Sequence, residues 1–113
     1  MSRLPLLILA TALGVSWMLL PAEAADIASG KKVYVEKCLR CHGAGGKGDG
    51  PKAAALSKTA LDYTDRKKMA QVTDAELKQV LLDGNPPMPA YKGRLSDKDV
   101  DDVIAYIRTF AAK

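Results

Sequence analysis

The feature that most constrains this chain is a five-residue motif at positions 38 to 42. Cys38 and Cys41 are separated by two residues, and His42 follows directly. Cys-x-x-Cys-His is the signature for covalent attachment of haem. Each thiol can add to one haem vinyl group, and the adjacent histidine can reach the iron. We therefore expect one haem, attached through Cys38 and Cys41, with His42 as an iron ligand.

Two other kinds of site use paired cysteines, and neither suits this sequence well. Thiol oxidoreductases place Cys-x-x-Cys within an alternating strand and helix pattern, and no such pattern surrounds this motif. A structural zinc site needs four Cys or His ligands, whereas the chain has two cysteines and one histidine. Haem attachment is therefore the favoured interpretation, with a redox-active disulfide as its nearest rival.

The segment before the motif has the layout of an export signal. A charged start precedes an apolar run from Leu4 to Leu20, and Ala22–Ala24 has the small-x-small pattern that signal peptidase accepts. The sequence predicts a cleaved signal peptide over residues 1–24 and a single domain over residues 25–113. An uncleaved membrane anchor is the alternative, because about 17 apolar residues lie at the lower edge of what spans a bilayer. Twin-arginine and lipidation motifs are lacking, so we expect a soluble periplasmic protein with no membrane insertion after cleavage.

The charge balance is mildly basic, with 17 Lys and Arg residues against 13 Asp and Glu residues and a net charge of +4. The basic residues are spread along the chain, so nucleic-acid binding has little support, and export argues further against it. If lysines surround an exposed haem edge, they would attract acidic partners. Lys47, Lys52 and Lys92 are candidates for that role.

Hydrophobic periodicity indicates three main helices and no strand. The first runs from about Ala28 to Cys41. The second begins at a capping box, Thr73–Glu76, and ends at Gly84. The third begins at Ser96 and carries apolar residues at intervals of three and four as far as Phe110.

The segments between these helices are rich in glycine, alanine or proline. Gly43–Pro51 is too rich in glycine for a helix, Lys52–Leu61 is alanine-rich and predicts a short helix, and Asn85–Pro89 predicts an extended segment. With one phenylalanine and four tyrosines, the chain can bury little apolar area unaided. A haem would add a large apolar surface to the core, so we expect the apoprotein to fold poorly.

The iron face opposite His42 needs a separate assignment. No second histidine exists, and Met1 and Met18 lie in the predicted signal peptide, which leaves Met69 and Met88. The prolines beside Met88 stiffen its loop and lower the entropy cost of holding a weak thioether against iron. Met69 lies where a methionine more often packs against an apolar surface. The sequence favours Met88, with an open or water-bound position as the alternative.

The sequence resembles small bacterial class I c-type cytochromes in the order of three features. These are the Cys-x-x-Cys-His motif, the downstream Met88 and the apolar last helix. The resemblance covers nearly all of the predicted mature chain, including Pro87–Tyr91 and the ending Val103–Ile107. It implies an all-α cytochrome c fold, with three main helices packed around one covalently bound haem. It also implies that Gly30 and Tyr34 pack against the last helix, with Val103 and Tyr106 as their counterparts.

The resemblance assigns further residues around the haem. In that family, a proline carbonyl accepts the proton of the ligand histidine's other ring nitrogen, and Pro51 is the candidate here. Tyr63 and Tyr91 are candidates for contact with the haem or a propionate. The cofactor-binding set expected is therefore Cys38, Cys41, His42 and Met88, with Pro51, Tyr63 and Tyr91 around them.

The same resemblance implies a monomeric electron carrier that shuttles single electrons between redox partner proteins, and not an enzyme. No plausible general acid or nucleophile is evident in the sequence. Two alternatives stay open. A haem enzyme or gas sensor would have an iron that Met88 does not bind or readily leaves, and an electron-entry subunit would be held within a larger oxidoreductase.

Overall fold

The computed structural model describes Gly14 and residues 24–112, so most of the predicted signal peptide lies outside the described residues. Residues 24–112 form helices and loops, with isolated bridges joining Asn85 to Met88 and Lys92 to Leu95. The elements, in chain order, are α1 (Ile27–Lys37), α2 (Leu39–His42), a 3-10 turn (Ala53–Ala55), α3 (Arg66–Gln71), α4 (Asp74–Asp83) and α5 (Asp97–Ala111). None of the described helices is long and apolar enough to cross a membrane. The expected all-α fold class is confirmed.

Helices α1 and α5 pack against each other, and Gly30 lies where they meet. A Cβ atom added at Gly30 would lie 2.0 Å from the Asp102 carbonyl oxygen and 3.0 Å from the Val103 amide nitrogen. The absence of a side chain therefore permits the backbones to approach this closely. One helical turn later, the rings of Tyr34 and Tyr106 lie 5.2 Å apart, so the pairing expected from the resemblance is confirmed.

The core lies along the inner face of α5, which contributes Val100, Val103, Ile104, Ile107 and Phe110. These positions follow the three-and-four spacing expected of one apolar helix face. Residues of α1, α3 and α4 pack against this face, including Tyr34, Met69 and Leu81. Helix α5 is therefore the element around which the others assemble.

The capping box predicted at Thr73 is present, and Ser96, the predicted start of the last helix, begins α5 with a second one. The Thr73 and Ser96 hydroxyls accept hydrogen bonds from the amides of Glu76 and Asp99, and the carboxylates of those residues accept in return from the cap amides. These bonds satisfy amide groups that a helix start leaves without partners. They explain why the beginnings of α4 and α5 are readable from a few adjacent residues.

Three details differ from the sequence prediction. The first helix is interrupted at Cys38, and only Ala53–Ala55 is helical within the alanine-rich segment. Helix α3 was not predicted; the Asp65 carboxylate caps it by accepting from the Lys68 amide, and its one buried residue is Met69. A helix of six residues is too short to show a hydrophobic period, so its capping residue was its only sequence signal.

Candidate haem site

A cavity of about 380 Å³ lies between the Cys-x-x-Cys-His segment, α4 and the loop that follows α4. Much of its wall is aliphatic, provided by Leu56, Leu61, Leu77, Val80, Leu81 and Ile107. The two cysteines, His42 and Met88 also line it, as do Tyr63 and Tyr91. Six of the seven residues that the sequence predicts for the site therefore share one cavity.

Cys38 and Cys41 lie at the junction between α1 and α2. Cys38 is buried and Cys41 is partly exposed, and both thiols are free in this structure. The Cys41 and His42 amides both donate to the Cys38 carbonyl, at 3.3 and 3.0 Å, which forms a single tight turn between the cysteines. Burial, with a smaller contribution from Cys41, raises the pKa of Cys38 to about 12. Before haem is attached, Cys38 is therefore a neutral thiol at neutral pH.

The His42 ring is 8% exposed, and each of its nitrogens has one neighbour. Nδ1 lies 3.3 Å from the Leu61 carbonyl oxygen, and Nε2 lies 3.2 Å from the Tyr63 hydroxyl. Burial lowers the pKa of His42, and the Leu61 contact opposes that shift only in part. The neutral ring must donate from Nδ1, because a carbonyl can only accept. Nε2 is then the unprotonated nitrogen, which is the form that binds a metal.

The carbonyl at Nδ1 is that of Leu61, in the place where the resemblance put the carbonyl of Pro51. Pro51 is exposed. Its neighbours Gly50 and Lys52 donate backbone hydrogen bonds to the carbonyls of Cys41 and Arg40, at 3.1 and 2.8 Å. These bonds hold the end of the glycine loop against the backbone of α2. The sequence did not predict the role of Leu61, because nothing in its local sequence shows that its carbonyl contacts a histidine nineteen residues earlier.

Met88 is half-buried and lines the cavity from the loop after α4. Its amide donates to the Asn85 carbonyl at 2.8 Å, and the Asn85 amide donates to the Met88 carbonyl at 3.1 Å. Gly84, at φ 75°, starts this turn, and an added Cβ atom would lie 2.8 Å from the Ala90 amide nitrogen. By contrast, Met69 is 2% exposed within the core and does not line this cavity.

Two buried tyrosines contact the two ends of the attachment segment, Tyr91 before Cys38 and Tyr63 at His42. The Tyr63 ring stacks on His42, with centroids 4.5 Å apart and an interplanar angle of 15°. The Tyr91 hydroxyl donates to the Lys37 carbonyl at 2.9 Å. Burial raises the pKa of both phenols, so both act as neutral hydroxyl groups.

The chemistry of this lining fits a haem. Two thiols on one turn suit thioether links to one porphyrin edge, and the unprotonated Nε2 of His42 suits iron. The aliphatic wall suits a flat apolar macrocycle, and the thioether of Met88 supplies a second donor of the kind that haem iron accepts. Leu56 and Val80 were not predicted in this role, because an aliphatic side chain carries no motif.

Comparisons with known proteins agree with this site. The model of the family described as "Cytochrome C oxidase, cbb3-type, subunit III" matches residues 25–107. The chain is 37% identical to cytochrome c6 of Synechocystis sp. over 92 residues, which cover 81% of this chain and 72% of that protein. It is 41% identical to cytochrome c6 of Picosynechococcus sp. over 91 residues, covering 77% and 75%.

The fold is also similar to that of a solved structure, the KustC0563 c-type cytochrome. The TM-score is 0.64 at 26% identity, and the likeness covers 72% of this chain and 95% of that chain. The match to the family model, residues 25–107, spans the attachment motif, Met88 and most of α5. The chain belongs to this family and is a small monohaem class I c-type cytochrome, an electron carrier with covalently bound haem c.

Proposed function

We propose that this protein is an exported, periplasmic carrier of single electrons whose haem iron is held between His42 and Met88. The observation that carries the proposal is that both residues line one cavity together with both cysteines. Met69, the other methionine available, is buried elsewhere in the core. A haem supplies one-electron redox chemistry, and thioether ligation raises its reduction potential relative to two histidines.

The side chains around the cavity suit a sealed electron-transfer site. His42 and Met88 would both hold the iron, so no ligand position would stay open for a substrate. The Leu61 carbonyl would orient the His42 ring, and the aliphatic wall would exclude water. Both cysteines would be consumed in the thioether links, so the other titratable groups that line the cavity are the phenols of Tyr63 and Tyr91, with Lys37, Lys58 and Glu76. This arrangement supports transfer of electrons and not catalysis.

The charge around the cavity supports docking of acidic redox partners. Lys37 and Lys58 line the cavity, and both residues are exposed. Lys47, Lys52 and Lys92 are also exposed, and the net charge of the chain is +4. Such charges steer encounter more than they add affinity, as suits a monomeric carrier that must dock and leave. We expect association rates with redox partners to fall as ionic strength rises.

The ligation is tested by the absorption spectrum of the oxidised holoprotein, which should contain the weak near-red band of methionine sulfur bound to ferric haem. Met88→Leu should abolish the band, because leucine has no donor atom. Met69→Leu is the matched control, since it changes a buried methionine of similar volume and should keep the band. A band that survives in Met88→Leu would contradict the assignment.

A haem enzyme or gas sensor is the competing function. Its iron would bind carbon monoxide rapidly in the ferrous state at neutral pH, whereas a six-coordinate site admits the gas only after losing a ligand. Slow binding is expected here. Purification from the native source separates a free carrier, which elutes as a monomer, from an oxidoreductase subunit of the kind that the family's description names.

A further inference from the structure

Tyr91 joins two segments of the haem site that are far apart in sequence. It follows Met88 by three residues and is 6% exposed. Its hydroxyl donates to the Lys37 carbonyl at 2.9 Å, directly before Cys38. The loop that carries Met88 is thereby bonded to the segment that carries the attachment cysteines.

The Lys37 carbonyl is available because α1 ends there. In a continuous helix, the Cys41 amide would donate to it, but that amide donates to the Cys38 carbonyl instead, at 3.3 Å. The Tyr91 hydroxyl takes the place of the missing helical donor. A side chain of the Met88 loop therefore caps the helix that leads into the attachment motif.

Tyr91 is itself held firmly. Its amide donates to the Leu81 carbonyl of α4 at 2.9 Å, and its own carbonyl accepts from the Arg94 and Leu95 amides at 2.9 and 3.1 Å. The Arg94 guanidinium lies over the ring, 5.2 Å from its centroid. By contrast, the backbone bonds between Asn85 and Met88 are internal to the loop and do not attach it to anything else.

We propose that Tyr91 is a positioning residue that keeps Met88 in place, by bonding its loop to the carbonyl that precedes the attachment motif. This inference rests on the proposed ligation by Met88. A thioether is a weak iron ligand, and it leaves when its loop moves away. The bond between Tyr91 and Lys37 holds the end of that loop against the attachment segment, so it opposes movements in which Tyr91 shifts together with Met88 and lowers the population in which Met88 is displaced.

The test is imidazole binding to the ferric holoprotein, because imidazole reaches the iron only in molecules whose Met88 has left. Its apparent affinity is therefore proportional to that population. Tyr91→Phe keeps the ring and its packing and removes the hydroxyl. We expect imidazole to bind about fivefold more tightly, as befits the loss of one net hydrogen bond.

Tyr34→Phe is the matched control. The Tyr34 hydroxyl is also buried and also donates to a backbone carbonyl, that of Gly43 at 2.6 Å, but Tyr34 does not line the cavity. We expect it to lower thermal stability as Tyr91→Phe does and to leave imidazole affinity unchanged. The positioning role is overturned if wild type, Tyr91→Phe and Tyr34→Phe bind imidazole with equal affinity. It is also overturned if both variants gain imidazole affinity by the same factor.

The wild-type spectrum separates this inference from the proposed function. A wild-type near-red band with no effect of Tyr91→Phe on imidazole affinity overturns the role of Tyr91 alone. A wild-type protein without the band overturns ligation by Met88, and the role of Tyr91 falls with it.

Discussion

Asp102 is an acidic residue buried at the junction of α1 and α5, with 2% of its surface exposed. Its carboxylate accepts from Lys98 Nζ at 2.6 Å and from the Asp26 amide at 2.8 Å. Buried charges are tolerated when they are paired and hydrogen-bonded in this way. Asp102 therefore fixes the start of α1 to α5 at the point where Gly30 brings their backbones together.

The Lys98 side chain and then the Asp26 amide lower the pKa of Asp102 below its ordinary value of 3.8. A lowered folded-state pKa means that the stabilisation is present above pH 3.8 and is lost as pH falls through the folded-state value. We expect Asp102→Asn to lower the free energy of unfolding at neutral pH and to differ much less from wild type at about pH 2. Denaturant unfolding at both pH values measures this.

Asp101→Asn is the control for that comparison. Asp101 is exposed, and its ion pair with Lys78 spans 3.9 Å. Such surface pairs contribute about 0–1 kcal/mol, so this variant should stay close to wild type at both pH values. If Asp102→Asn lowers the free energy of unfolding by the same amount at low pH as at neutral pH, the role of the Asp102 charge is contradicted.

At the scale of elements, the crossing of α1 and α5 depends on Gly30. In Gly30→Ala, the new methyl group would meet the Asp102 carbonyl, which is backbone and cannot rotate away. We expect a loss of about 1–3 kcal/mol in the free energy of unfolding of the holoprotein, or more if the helices separate. Guanidinium unfolding followed by circular dichroism measures it.

Gly45→Ala provides the comparison for Gly30→Ala. No heavy atom lies within 4 Å of a Cβ atom added at Gly45. We expect this variant to stay within about 0.5 kcal/mol of wild type, as open surface sites usually do. Similar losses in both variants would show that the helix crossing is not what makes Gly30 necessary.

Arg108 connects three helices through one guanidinium group. It donates to the carbonyls of Met69 and Val72 at the end of α3, and to the Asp74 carboxylate in the first turn of α4. The planar fork of arginine can satisfy several acceptors at once, which lysine cannot. This group explains how α3, with only six residues, keeps a fixed place beside α5.

At the scale of the whole molecule, the haem cavity and the core share residues. Of the twelve buried apolar residues in the described part of the chain, six also line the cavity: Cys38, Tyr63, Leu77, Leu81, Tyr91 and Ile107. Without haem, these side chains lose contacts on their cavity side. The haem is therefore expected to stabilise the folded protein as well as to provide its redox chemistry.

A variant that cannot attach haem, Cys38→Ala with Cys41→Ala, should accordingly be poorly folded. We expect it to lose more than about half of the helical signal in circular dichroism, since small cores seldom hold a chain of this size without added links. The holoprotein is the reference. A cooperative thermal transition with full helicity in the variant would contradict the prediction.

Local sequence was sufficient for much of this protein. Cys38, Cys41 and His42 form a contiguous motif, so their chemistry is readable without a fold. The capping boxes at Thr73 and Ser96 involve residues three positions apart, and the spacing along α5 reports a single apolar face. The class of protein and the beginnings of the two helices that carry capping boxes, α4 and α5, follow from such short-range patterns.

Tertiary structure alone decided contacts between residues distant in sequence. The carbonyl at His42 comes from Leu61, the hydroxyl at Lys37 comes from Tyr91, and the amide at Asp102 comes from Asp26, at separations of 19, 54 and 76 residues. Loops have no hydrophobic period, and any residue carries a backbone carbonyl or amide. The partner of a buried polar group is therefore set by how the helices pack, which the motif itself does not encode.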